Sequence, residues 1–352
     1  MSKFTQLKAV AAVAGACATL LAAAPAQAYT YAVSKLDIKD LNVLAVAANA
    51  APVQANDVGA AANYSFTLSN KGYFTNEAGF YQEASAGNTC KGVIFGGPVG
   101  TNCGKGGAVL NAAVANAPGL ASARADNNFA ALGLIGGSYS NADSQITTAK
   151  LFNPATLTST TQIAESLLDV NGSAGANTEV KSTTQLITNL FFNGTTDLYV
   201  SFEALLKMAG AISDFPGGLY TSQAGSNVQF SLTKKGSVGN WTWTPDGEAS
   251  GCTGSGFGFG STCHQTDDEW NLNGGGQIGG NPESFDLSSG GFKKFGVRIE
   301  DLVAGEYTLN LTATTTTYVD RQYVPEPGSL ALVGLALAGL GLVSRRRAVK
   351  SN

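Results

Sequence analysis

The sequence predicts a mainly β protein: an antiparallel β-sandwich or jelly roll with minor helix, plus one hydrophobic helix near the C-terminal end. Three observations carry this expectation. Segments of apolar–polar alternation recur in the second half, most clearly Glu306 to Thr317 (EYTLNLTATTTT), where Tyr307, Leu309 and Leu311 share a face. Gly and Asn clusters punctuate these segments as turns do. Charged residues are only 13% of the chain while glycines number 44, so the surface must be built largely from Ser, Thr, Asn and Gln.

Taken in order, Leu41 to Ala51 reads equally as a short helix or a strand. Asn63 to Leu68 (NYSFTL) places Tyr64, Phe66 and Leu68 on one face, a period of two. Gly72 to Phe80 reads as its turn and partner, and Val93, Ile94 and Phe95 as a brief strand. Ala108 to Leu134 is alanine-rich and predicts helical stretches interrupted at Pro118. Ile163, Leu167 and Leu168 fit one helix face, and Asn171 to Asn177 is a loop by composition. Leu198 to Leu206 alternates inward at Leu198, Val200 and Phe202, then becomes ambiguous with helix. Val228 to Thr233 runs into a turn at Lys234-Lys235-Gly236. Trp241 and Trp243 share a face if that segment is a strand. Phe285 to Leu287 and Phe295 to Ile299 are further strands, and Leu302 to Gly305 turns into the last one.

Both ends of the chain differ from this body. Lys3 and Lys8 precede an apolar, small-residue stretch from Ala9 to Ala24. Ala26-Gln27-Ala28 then forms an A-x-A site that would leave Tyr29 as the new N-terminus, so residues 1–28 read as a signal peptide. At the other end Pro325-Glu326-Pro327 is a stiff, extended spacer. The apolar run 330–343 follows, and Arg345, Arg346 and Arg347 close it. As a helix, that run spans about 21 Å against a bilayer core of ~30 Å, so it crosses only with help from Gly328, Ser329 and snorkelling arginines, or with local thinning. The arginines stay cytoplasmic and everything before them lies outside.

Between the ends, residues 29–323 form one large exported domain or two smaller ones. This span holds 15 basic and 24 acidic residues, a net charge of −9. That balance excludes a nucleic-acid partner, since no basic patch remains. Four cysteines lie here. An oxidising compartment favours disulfides, and Cys90–Cys103 and Cys252–Cys263 are the expected pairs because each brackets a short Gly-rich loop. Two other connectivities stay open. Zinc is disfavoured, because neither pair has C-x-x-C spacing and the only histidine is His264.

No catalytic motif is present. His264 beside Cys263 would make a thiol–imidazole pair only if that cysteine were free, and sequence neighbours on a strand point apart. Gly254 to Gly260 (GSGFGFG) lacks the Lys-Ser/Thr of a phosphate-binding loop. Asp267, Asp268 and Glu269 form the densest acidic cluster, a weak candidate for Ca²⁺ and otherwise a plain acidic loop. Trp270 beside Asp267 offers an aromatic face and hydroxyl acceptors for a sugar ring. The expectation is no metal and no cofactor.

The order of Pro-Glu-Pro, apolar helix and arginines resembles the PEP-CTERM sorting signal of Gram-negative bacteria. The resemblance covers residues 324–350 and implies secretion through the Sec machinery. It further implies transient residence in the inner membrane and cleavage near Pro325-Glu326-Pro327 by an exosortase-type sorting enzyme. Its destination would then be the cell surface, outer envelope or extracellular matrix of an organism that makes exopolysaccharide. The phrase Leu302 to Leu309 (LVAGEYTL) also looks like the closing hairpin of exported domains that carry this tail. The expected role is structural or adhesive, in biofilm or envelope. An exported polysaccharide-acting hydrolase and a carbohydrate-binding β-sandwich adhesin are the alternatives.

Overall fold

The computed structural model describes residues 29–47, 53–54, 63–76, 81–93, 109–116, 129–134, 137–147, 158–187, 195–213, 218–255, 260–323 and 334–337. The strands are β1 (Thr30–Ala47), β2 (Val53–Gln54), β3 (Asn63–Asn76), β4 (Tyr81–Val93), β5 (Val109–Asn116) and β6 (Tyr139–Thr147). Then come β7 (Thr158–Leu168), β8 (Gly172–Ile187), β9 (Thr196–Ile212), β10 (Gly218–Lys234), β11 (Asn240–Trp243) and β12 (Cys252–Ser255). The set closes with β13 (Thr262–Asp268), β14 (Gly275–Gly279), β15 (Glu283–Asp286), β16 (Lys293–Leu302) and β17 (Glu306–Tyr323).

Among the described residues these strands build two antiparallel sheets. The first runs β13-β16-β9-β1-β7-β6-β5, with β15 and β2 alongside; the second runs β12-β11-β10-β17-β8-β3-β4, with β14 alongside. Their inner faces pack together, with the largest apolar cluster at one end. Side chains of β9 and β16 from the first sheet meet those of β10, β11 and β17 from the second.

Strict alternation explains the long strands. In β9 every second residue from Thr196 to Ile212 is inward, so Leu198, Val200, Phe202, Leu206 and Met208 are buried. The helix-forming Glu203-Ala204-Leu205-Leu206-Lys207 stretch is strand, because one edge is paired throughout with β1 and the other is held by β16 at Glu203 and Ala204 and by Ser289 at Leu206. Tertiary pairing overrides local propensity here.

Several sequence expectations fail in the first half, for two reasons: burial of both faces of a strand, and a narrow gap between the sheets. The alanine-rich stretch contains strand β5, paired in full with β6. Ile163, Leu167 and Leu168 lie on strand β7, whose two faces are both buried, which erases the period of two. Residues 172–177, read as loop, open β8 and are paired on both edges, to β17 and β3. Gly72 is not a turn but sits mid-strand in β3, because a Cβ there would lie 2.8 Å from Ser140 Oγ of the opposite sheet. The sheets approach closely at this end. Only small residues fit, and small residues read as helix or loop in a linear sequence.

The core is divided accordingly. At one end Phe202 packs between Phe230, Phe295 and Trp243, with ring centroids 5.3, 5.0 and 5.9 Å away. At the other, hydroxyls stitch the sheets together. Ser34 Oγ donates to Gly225 O at 2.8 Å, Ser222 Oγ to Tyr31 O at 2.6 Å and Ser140 Oγ to Gly175 O at 2.6 Å. Ser166 and Thr317 hydroxyls meet at 2.8 Å. These bonds satisfy polar groups that a narrow interior would otherwise strand without water.

The segment 129–134 covers the outer face of the first sheet through Glu165, which is fully buried. Its carboxylate accepts from Tyr31 Oη at 2.6 Å, Gly133 N at 2.9 Å and Leu132 N at 3.0 Å. In the C-terminal tail, residues 334–337 form a helical turn and are exposed. Among the described residues no helix is long and apolar enough to cross a membrane. The remainder of the expected helix 330–343, Pro325, Glu326, Pro327, Arg345, Arg346 and Arg347, and the signal-peptide positions Ala26 and Ala28, lie outside the described residues.

Candidate functional site

The residues singled out for chemistry gather at the end of the sandwich built by β11, β12, β13 and the turn into β14. Cys252 on β12 and Cys263 on β13 form a disulfide with Cα atoms 6.1 Å apart. It ties the edge of one sheet to the edge of the other. Cys103 lies outside the described residues, and with it the Cys90–Cys103 pairing. Because the sulfur of Cys263 is bonded, no thiol stands beside His264. That histidine is exposed, its Nε2 3.1 Å from Thr262 Oγ1 and 3.5 Å from Glu300 Oε2.

The tryptophans divide by depth. Trp243 is buried, stacked on Phe230 at 5.0 Å, and its Nε1 donates to Gln265 Oε1 at 3.2 Å. Trp241 shares its face and packs against the same core. Both help line a small cavity with Val200, Phe230 and the disulfide. Its lining is apolar and holds no acid or base, so it offers shape without chemistry.

Trp270 is half-buried against the core, with the Lys293 ammonium 5.9 Å from its ring centroid. Asp267 is exposed, placed by a bulge where β13 shifts register against β16 between Gln265 and Asp267. A Cβ on Gly296 would meet Thr266 Oγ1 at 2.3 Å and Asp267 Oδ2 at 3.3 Å, so glycine makes room for the bulge.

The three carboxylates of the acidic cluster diverge. Asp268 turns inward and accepts from Asp246 N at 3.1 Å. Burial pushes its carboxyl up to about 6, against the pull of backbone N–H groups of Gly247 and Asp246. Glu269 accepts from Lys294 N at 2.9 Å. Among the described residues no three His, Cys, Asp or Glu side chains converge as metal ligands would.

A cluster that the sequence did not single out lies on the outer face of the first sheet. Arg298 Nη2 contacts Asp197 Oδ2 at 2.6 Å and Arg298 Nη1 contacts Glu300 Oε1 at 2.9 Å. The guanidinium carbon stands 5.0 Å from the Tyr199 ring centroid. These residues alternate outward on paired strands, and only their pairing brings them together. The hydrogen bond to Asp197 raises the Arg298 pKa further, so this cation is permanent.

The comparisons with known proteins bear on the tail. Residues 324–347 match the family model of the PEP-CTERM protein-sorting motif. The chain therefore ends in a PEP-CTERM sorting signal, the mark of a protein exported to the cell envelope in dependence on an exosortase-type enzyme. No curated protein matches the chain. A solved structure described as that of infectious bursal disease virus Gx strain aligns over 88% of this chain and 87% of that one. At 10% identity and a TM-score of 0.08 it carries no argument.

Proposed function

We propose that the protein is a non-enzymatic structural or adhesive component of the cell surface or extracellular matrix, working in contact with exopolysaccharide. The observation that supports this most is the sorting tail on a long antiparallel body. In this reading residues 1–28 are removed on export, residues 29–323 are the exported part, and 324–350 are the sorting signal. The run 330–343 holds the chain in the inner membrane while Arg345, Arg346 and Arg347 remain cytoplasmic. Cleavage near Pro325-Glu326-Pro327 then frees the body. A span of net charge −9 with hydroxyl and amide side chains outward suits hydrated glycan and repels phosphate-rich polymers. Trp270 with Asp267 is one contact point for sugar in this reading. An unchanged affinity of Trp270→Ala for the producer's exopolysaccharide would remove that contact.

The experiment is intact-mass and fractionation analysis of the native protein from its own host, with and without the sorting enzyme. The expected mass begins at Tyr29 and ends near Pro325 to Pro327, in the matrix or outer-envelope fraction. A full-length chain in the inner membrane, indifferent to loss of the enzyme, would overturn the proposal.

A further inference from the structure

The outer face of the second sheet carries an aromatic strip that lies far in sequence from Trp270. Strands β4, β3, β8, β17 and β10 lie side by side there, and their pairing decides which residues share a row. Glu83, Tyr73, Gly175, Tyr318 and Gln223 stand opposite one another in that order. Tyr73 and Tyr318 flank Gly175, on strands two apart, so their backbones are ~9.6 Å from each other.

Gly175 shapes the strip. A Cβ there would lie 2.6 Å from Tyr73 Cε1 and 2.9 Å from its hydroxyl oxygen. The Tyr73 ring therefore leans over β8 toward Tyr318 instead of standing off the sheet. Both rings are half-buried, which leaves their outer sides to solvent. The surroundings are polar. The next row adds Asp320 on β17 and Tyr81 on β4, and the row on the other side adds Lys71 and Asn177. Lys71 Nζ pairs with Glu83 Oε1 at 3.0 Å, and the Tyr81 hydroxyl donates to Glu83, so the charges at this rim largely cancel. Burial and the nearness of Tyr318, Asp320 and Tyr81 push the Tyr73 phenol up to about 12, which keeps it a neutral donor.

We infer that this strip is a docking surface for an extended, uncharged glycan chain, with Tyr73 and Tyr318 as stacking planes for two of its sugar rings. A pyranose presents a C–H face to an aromatic ring and hydroxyls at its edge. The strip offers that pair of surfaces, rings in the centre and amide, hydroxyl and carboxylate groups around them. The net charge of −9 on the exported span selects against an anionic polymer. Aliphatic anchors of the kind that a protein partner would bury are missing from these rows among the described residues. The inference deepens the proposed function, since it rests on the protein working in a glycan matrix.

The test is native affinity electrophoresis of the mature protein in gels containing hydroxyethylcellulose or, separately, the neutral fraction of the producer's exopolysaccharide. Retardation by at least one polymer is expected. Loss of both stacking planes in Tyr73→Ala/Tyr318→Ala should weaken it roughly tenfold or more, with the fold verified by near-ultraviolet circular dichroism. Tyr73→Phe/Tyr318→Phe keeps the planes and should retain most of the binding. Retardation that the double alanine variant leaves unchanged would overturn the strip while the matrix reading stands. No retardation of the wild type by either polymer would overturn it as well, and the intact-mass experiment then judges the matrix reading separately. Self-association that the double alanine variant abolishes, without polymer binding, would assign the face to a second copy of the chain and refute the glycan.

Discussion

Phe202 joins the two sheets at the aromatic end. It comes from β9 and touches Phe295 of its own sheet and Phe230 and Trp243 of the other, all with centroids within 5.9 Å. Phe202→Ala removes a fully buried ring and leaves a cavity that rigid strands on both sides cannot close. Such truncations cost about 3–5 kcal/mol. Phe202→Leu keeps much of the apolar volume and loses the ring geometry, for a loss of roughly 1–2 kcal/mol. For a body of this size a loss of 4 kcal/mol lowers Tm by roughly 6 °C. Urea unfolding of the protein, followed together by circular dichroism and by tryptophan emission, to which the neighbouring Trp243 contributes, measures both variants. A loss under about 1 kcal/mol for Phe202→Ala would refute the reasoning, as would equal losses for the two variants.

Three further outcomes follow from other parts of the molecule. Asp268 has its folded pKa raised to about 6 from 3.8, so the native state holds a proton that the unfolded chain has released. Its contribution to stability is therefore full below about pH 4 and is lost as pH rises through about 6. Urea midpoints across that window should fall in the wild type and flatten in Asp268→Asn; parallel slopes would contradict the assignment. Cys252→Ser/Cys263→Ser opens a loop of sequence separation 11 and should cost ~3 kcal/mol in urea unfolding without reductant; a loss under about 1 kcal/mol would contradict this. Glu165→Ala removes the acceptor of Tyr31 Oη, Leu132 N and Gly133 N, for a loss of roughly 1–3 kcal/mol. Hydrogen exchange at Leu132 and Gly133 should accelerate first, and unchanged protection there would show that the segment 129–134 is held by something else.

Legibility of the fold followed physical circumstance. The strands β9, β10 and β17 alternate cleanly because one face meets the core and the other meets water. Thus Tyr307, Leu309 and Leu311 were readable as a buried face. Strand β7 was not readable, since Ile163 and Leu167 are buried on one side while Ala164 and Leu168 are buried on the other. Strands β5 and β8 were hidden by composition. Alanine, glycine and serine are poor strand formers in isolation, yet they are what a narrow gap between sheets admits. Gly72 shows the same effect at one position, a glycine kept by a hydroxyl of the facing sheet. In the candidate site, the proximity of Cys252 and Cys263 was visible in their spacing. The inward turn of Asp268 was invisible, because it depends on Asp246 arriving from another loop.

What the sequence by itself determined is the address and the broad class. A sorting signal is read by other proteins as a linear string, so Pro325-Glu326-Pro327, the apolar run and the arginines are legible without a fold, as the match over residues 324–347 shows. Alternation sufficed for an antiparallel β body. Only the tertiary structure decided which side chains stand together. Tyr73 and Tyr318 become neighbours through Gly175, and Arg298 meets Asp197, because strands far apart in the chain pair in one register. That register follows from the burial of whole sheet faces, a sum over many distant contacts that no local stretch of sequence contains.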